Sequence, residues 1–199
     1  MGMSSVDIGA LLQKQKSPTY IMVEIGYGLD SIVRNFDVPF IGDRIYIGVE
    51  NGMRGGFEGA QHRARRAEKR FEGQNVTFIV QDAQGFPRLP DGFAHEIFAG
   101  NVFCDPMVAA NQHMIRTLLS DISRMALPDC TIVLRETITP YEAHPHLRDF
   151  IAAEGLGVAA YIDKRDSEWE VLERMYGRHD LERGMKTHSR SYYLFLHKL

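Results

Sequence analysis

An α/β fold built on a mostly parallel sheet is what this sequence predicts, and three observations lead there. Strand-like apolar runs alternate with helix-like runs along almost the whole chain. The apolar runs are of strand length, too short to cross a membrane as a helix. The first strand runs directly into two glycines, Gly26 and Gly28, at the edge where open parallel sheets meet their ligands.

The elements follow in order. A helix within residues 5–17, about Asp7 to Lys16, is set apart by Pro18 from the first strand, Tyr20 to Ile25. A short helix over Ser31 to Phe36 and a loop with Pro39 and Gly42 lead into the second strand, Arg44 to Glu50. The charged stretch from about Phe57 to Phe71 reads as a helix. Val76 to Val80 is a continuous apolar and β-branched run, the pattern of a strand covered on both faces. After the turn Leu89-Pro90-Asp91-Gly92, the fourth strand covers His95 to Val102. A helix from Met107 to Met125 puts Ile115, Leu118, Leu119 and Ile122 on one face, with Pro128 closing it. Thr131 to Leu134 is the fifth strand, Pro145 to Glu154 a helix, Val158 to Ile162 the sixth strand and Ser191 to Leu196 the last. The polar stretch from Asp163 to Lys186 has no clear pattern and reads as a variable insertion.

Composition narrows the function classes. The 199 residues fit one domain, and 44% hydrophobic with 25% charged residues is ordinary for a globular protein. The start of the chain lacks the basic and apolar regions of a secretory signal. Cys104 and Cys130 are too few for a disulfide framework and lack zinc-binding spacing, so a reducing cytoplasm is the expected setting. The eight histidines show no metal-ligand spacing, and no metal is expected. A net charge of −3 gives no global attraction for nucleic acid, so contact with a polyanion requires a local patch.

The chemistry-bearing residues gather at strand ends. Glu24-Ile25-Gly26-Tyr27-Gly28-Leu29-Asp30 closes the first strand, and residues without a Cβ let a ligand lie against the backbone. Glu50, ending the second strand, can accept both hydroxyls of a ribose. Asp82-Ala83, just past the third strand, can take the exocyclic amine of an adenine packed on apolar side chains. A solvated loop carboxylate at Glu50 and a turn-forming Asp82 are the plainer readings.

Taken together, Val23-Glu24-Ile25-Gly26-Tyr27-Gly28, Ile47-Gly48-Val49-Glu50, Gln81-Asp82-Ala83, the stretch from Leu89 to Ile97 and that from Ala126 to Leu134 resemble the class I S-adenosylmethionine-dependent methyltransferases. The resemblance covers Tyr20 to the end of the chain. It implies a Rossmann-like seven-stranded sheet with helices on both faces and an antiparallel last strand. It also implies one methyltransferase domain over 1–199, with a cofactor-binding half over 20–106 and a C-terminal half over 107–199. The cofactor implied is S-adenosyl-L-methionine, held by Glu24, Gly26, Gly28, Glu50, Asp82 and Ala83. The sequence departs from the family pattern at Asp30, where the first motif has a third glycine, and at Asp129-Cys130, where a Gly-Gly pair is usual. A nicotinamide dehydrogenase shares the glycine turn and the ribose acid, but its fingerprint needs a glycine where Ser31 stands.

The acceptor side is expected at Asn101-Val102-Phe103-Cys104-Asp105-Pro106. Phe103-Cys104-Asp105-Pro106 loosely resembles the Phe-Pro-Asp-Pro of tRNA guanine-N7 methyltransferases, and Arg190-Ser191-Tyr192-Tyr193 resembles a stretch of rRNA adenine methyltransferases. Asp105 can accept an N–H of the acceptor or remove its proton, with Asn101 as the next candidate; capping a turn before Pro106 is the competing role. Cys104 reads as a buried thiol. Five cations lie within His62-Arg63-Ala64-Arg65-Arg66-Ala67-Glu68-Lys69-Arg70, and at helical spacing Arg63, Arg66 and Arg70 can contact phosphates, although a solvated helix face is the commoner outcome. The expected activity is methyl transfer to a nitrogen or oxygen of an RNA or small molecule. A non-catalytic cofactor-binding protein or partner subunit is the alternative.

Overall fold

The computed structural model describes residues 6–27, 31–50, 56–81, 89–136, 146–177 and 191–199. The chain opens with α1 (Ile8–Gln15), whose first turn is capped by the Asp7 carboxylate accepting the Ala10 N–H. It continues through β1 (Tyr20–Ile25), a one-turn 3₁₀ helix (Ile32–Asn35), β2 (Arg44–Glu50), α2 (Gly56–Arg70), β3 (Val76–Val80) and β4 (Ala94–Gly100). Then come α3 (Pro106–Ala109), α4 (Gln112–Met125), β5 (Ala126–Glu136), α5 (Leu147–Ala153), β6 (Leu156–Asp163), α6 (Trp169–Tyr176) and β7 (Tyr192–Lys198).

The seven strands form one sheet in the order β3-β2-β1-β4-β5-β7-β6. The first five strands are parallel, and β7 runs antiparallel to both β5 and β6. The expected Rossmann-like architecture is therefore present, and inserting an antiparallel strand between β5 and β6 separates it from the order of the dinucleotide-binding fold. Among the described residues no helix is long and apolar enough to cross a membrane.

Alternation along each strand divides the core in two. On one face Val23, Ile25, Ile97, Ile132 and Leu134 meet Ile115, Leu119 and Ile122 of α4 and Leu147 and Ile151 of α5. On the other, Tyr20, Met22, Tyr46, Phe98 and Tyr193 meet Leu11 of α1, Ala64 of α2 and Leu172 and Tyr176 of α6. Fully burying one such aliphatic or aromatic side chain contributes roughly 1.5–3 kcal/mol, so both helix layers are held mainly by area.

Four expectations need correction. The helix expected from Met107 to Met125 is broken at Ala110–Asn111, where the Asn111 side chain accepts the Met114 N–H and starts α4 afresh. Pro128 does not close that helix but lies inside β5, which begins at Ala126. The register against β4 shifts between Ala94 and Glu96, an irregularity that accommodates a residue unable to donate a backbone hydrogen bond. Val76 to Val80 is an edge strand with only Phe78 buried, and Glu68 of α2 accepts the Phe78 N–H at 3.0 Å. The patternless stretch after Asp163 contains α6, a packed element.

α6 has a specific position. Among its described residues the β1-to-β2 crossover carries the one-turn helix, and α6 packs against it: Asn35 Nδ2 donates to the carbonyls of Met175 and Gly177 at 3.1 and 2.9 Å. The Tyr176 ring stacks on Phe98 at 5.1 Å. Its hydroxyl donates at 2.6 Å to Glu96, a fully buried carboxylate that also accepts Tyr20 Oη–H at 2.6 Å and Gln15 Nε2–H at 3.0 Å. These donors offset the desolvation that pushes the Glu96 carboxyl above its ordinary range. Tyr176→Phe deletes one donor from that carboxylate and is expected to lower stability by about 1–3 kcal/mol, measured as a reduced urea midpoint at unchanged slope. An unshifted midpoint would mean that Tyr20 and Gln15 satisfy Glu96 without it.

Candidate functional site at the carboxyl edge of the sheet

Parallel strands bring their carboxyl ends to one edge, and backbone bonds carry the alignment past the strands. Gly26 N–H donates to the Val49 carbonyl at 2.8 Å, Gln81 N–H to that of Glu50 at 3.0 Å and Asn101 N–H to that of Arg135 at 2.7 Å. Gly26, Glu50 and Asn101 thus lie along the same rim. Gly28, Asp82 and Ala83, together with the departure at Asp30, lie outside the described residues.

The turn after β1 is fastened from below. Glu24 is fully buried and points to the face covered by α2 and α6, where its carboxylate accepts the Ser31 hydroxyl at 2.6 Å, the Ile32 N–H at 3.3 Å and the Tyr46 hydroxyl. Ser31 also caps the 3₁₀ helix by accepting the Val33 N–H. Gly26 sits at φ +72°, and a Cβ on it would come within 2.7 Å of the Val102 side chain, so glycine is required by conformation and by space. Glu24 therefore shapes the turn from within the fold.

Glu50 ends β2 and is 7% exposed. Beside it Tyr27 is 2% exposed, with its ring edge-on to Phe78 at 4.9 Å and its hydroxyl buried without a hydrogen-bond partner among the described residues. Burial and then the Glu50 charge hold the Tyr27 phenol well above its ordinary value, opposed by Arg63. Sequence reasoning passed over Tyr27 because a residue between two glycines carries no signal for an aromatic role.

The cationic row of α2 does not form one surface. Arg66 and Arg70 are exposed, whereas Arg63 is half-buried with its guanidinium beside Gly59. Glu68 of the same helix accepts the Phe78 N–H of β3 at 3.0 Å.

At the end of β4, Asn101 adopts φ +57°, which a short polar side chain tolerates, and starts a turn through Asp105. Asp105 caps α3, its carboxylate accepting the Met107 N–H at 3.0 Å. Cys104 is buried. Glu136, the last residue of β5, was not singled out because the expected fifth strand stopped at Leu134. It is 1% exposed and accepts the Phe103 and Cys104 N–H groups at 3.1 and 2.8 Å. Asp129, the other departure, lies toward the opposite end of β5 with its carbonyl taken by Lys14, away from the rim. The described residues contain no cluster suited to a metal ion.

No family model and no curated protein matches the sequence. Solved structures do. An antibiotic-related methyltransferase superposes with TM-score 0.63 at 14% identity, covering 100% of this chain and 98% of its own. The chain has the class I methyltransferase fold. A geranyl diphosphate methyltransferase in complex with S-adenosylmethionine gives 0.59 at 13% identity over 96% and 84% of the two chains. The cyclase SpnF gives 0.59 at 14% identity over 95% and 79%. Methyltransferases and a cyclase thus share this architecture, and its chemistry is a matter of the rim.

Tyr27→Phe removes a buried hydroxyl that has no partner among the described residues while keeping the ring on Phe78. The variant is expected to be more stable than the parent by about 1 kcal/mol, seen as a raised melting temperature of the ligand-free protein. A lowered melting temperature would show that the hydroxyl is bonded in solution.

Proposed function

We propose that this protein is an S-adenosylmethionine-dependent methyltransferase acting on a nitrogen or oxygen nucleophile of a small molecule or RNA. The observation that carries the reading is Gly26 and Glu50 side by side on the carboxyl rim of a sheet in this strand order. The residues fit the cofactor: Gly26 at the end of β1 leaves bare backbone on the rim, and the Glu50 carboxylate beside it suits vicinal hydroxyls. When bound, S-adenosylmethionine supplies an electrophilic methyl on a sulfonium.

In this reading Gly26 and Gly28 let the cofactor chain lie against the backbone, with Glu24 bracing the end of β1. Glu50 accepts the ribose hydroxyls, Asp82 accepts the adenine amine and Ala83 lines the base. Asp105 and Asn101 orient the acceptor's lone pair, and Asp105 takes its proton where the acceptor is acidic. If the acceptor is RNA, the exposed Arg66 and Arg70, with Arg63, add phosphate contacts.

One observation favours the second reading, a non-catalytic cofactor-binding protein or partner subunit. Asp105 is already engaged in capping α3, a role that needs no substrate. The two readings agree on the cofactor and differ in turnover.

Glu50→Ala and Asp82→Ala each remove a hydrogen bond worth about 1.5–3 kcal/mol and are expected to weaken S-adenosylmethionine binding about tenfold or more by calorimetry. Full affinity in both variants would refute the assignment. For Asp105→Asn, S-adenosylhomocysteine release against pooled RNA and metabolites is expected to fall about a hundredfold with little change in cofactor affinity. No release by the parent protein with any acceptor would favour the non-catalytic reading, and near-full turnover by the variant would make Asp105 a helix cap.

A further inference from the structure

The turn from Asn101 to Asp105 has an anchor that neither the glycine rim nor the acceptor residues account for. Glu136 extends from β5 on the same face as Ile132 and Leu134, the face covered by α3, α4 and α5. Its two oxygens are divided between two amides: Oε1 accepts Phe103 N–H and Oε2 accepts Cys104 N–H. The Val102 amide and the Cys104 thiol also stand near enough to favour its charge, and the thiol lies 3.9 Å from Asn101 Oδ1. Successive backbone N–H groups converging on one anion form a nest, filled here by a side chain of the neighbouring strand.

We propose that Glu136 is the positioning residue of the acceptor side, its carboxylate clamping the turn that carries Asn101 and Asp105, so that the turn loosens when the carboxylate takes up a proton. The inference deepens the methyltransferase reading and rests on it for the meaning of the turn, but the clamp itself is a statement about this chain. Each oxygen already faces a donor, so a proton on either one sets a hydrogen against donors and leaves a weaker acceptor behind. Hydrogen bonds to an ionised group are roughly twice as strong as neutral ones, so protonation costs the turn much of its hold.

The surroundings set where this occurs. The turn presents Cys104 and Asp105, and the latter's carboxylate is turned to Met107. From β7, Tyr192 lies opposite Glu136 in register. The described part of α3 carries no titratable side chain, and the residues that α4 and α5 bury are apolar, among them Ile115, Leu119, Leu147 and Ile151. Burial among these groups pushes the Glu136 carboxyl up to about 7, against the pull of the amides. Arg135 points to the opposite face, bonded to Glu173 and Tyr193.

The sign for folding is opposite to that for the clamp. A carboxyl raised in the folded state binds its proton there when the unfolded chain has already lost it, so this group's contribution to stability falls as pH rises from its ordinary value to about 7. The turn tightens from about pH 7 upward, as the group ionises, because opening it while Glu136 stays buried removes the amide donors that hold the carboxyl down.

The test uses the whole chain. The Glu136 carboxyl carbon is followed by NMR while exchange of the Phe103 and Cys104 amides, corrected for intrinsic rates, is measured from about pH 5.5 to about 8.5, spanning the expected transition. The expected result is a carboxyl midpoint near 7 with amide protection rising about tenfold through it. In Glu136→Gln, protection is expected to be low and independent of pH. A carboxyl titrating in the ordinary range, or amides whose protection ignores its titration, would overturn the clamp, and both are read on the unmodified protein. If S-adenosylhomocysteine production follows the same midpoint, the clamp bears on turnover. If the amides titrate but no acceptor is methylated, the clamp stands and the methyltransferase reading falls.

Discussion

Burying the Glu24 carboxylate obliges three separate parts of the chain to meet. A charge at that depth is tolerable when donors surround it, and here they come from Ser31 and Ile32 beyond the first turn and from Tyr46 on the next strand. Satisfying one side chain therefore fixes how β1 ends, how the chain turns and how β2 lies beside it. Gly26 can hold its left-handed conformation against Val102 because both ends of the turn are tied. The rim on which Glu50 and Asn101 stand inherits its alignment from this arrangement.

Much of the architecture was readable from local pattern. β2 and β3 have the expected bounds, because a β-branched run between turn residues has few alternatives. What local pattern missed were decisions made by tertiary contact. Pro128 reads as a helix stop but lies in an irregular stretch of β5, where α4 had already ended. Trp169, Leu172, Met175 and Tyr176 stand at helical spacing, a local signal diluted by the polar residues on either side, while the place of their helix is set by Phe98, Glu96 and Asn35, all distant in sequence.

At the rim the same division holds. Gly26 and Glu50 stand out because glycines and acids at strand ends are a sequence-level signal, and the structure places both on the rim. Glu136 obeys that very rule, an acid closing a parallel strand, and escaped because the strand runs two residues further than its apolar core suggests. Tyr27 had no signal: its interest lies in a missing hydrogen bond, a property of the packing. Arg63 shows the limit of helical spacing, which placed it with Arg66 and Arg70 although its side chain is half-buried.

The placing of α6 also orders events in time. The 3₁₀ helix and the residues that cover it are joined by Asn35 and Met175, 140 positions apart. A chain emerging from the ribosome exposes Phe98 and its aromatic neighbours long before Tyr176 exists to cover them. Closing so large a loop is entropically costly and is compensated only once the partner has been made. The end of β1 is thus synthesised well before the helix that seals it, and in the interval the aromatic face beside it stays open to aggregation.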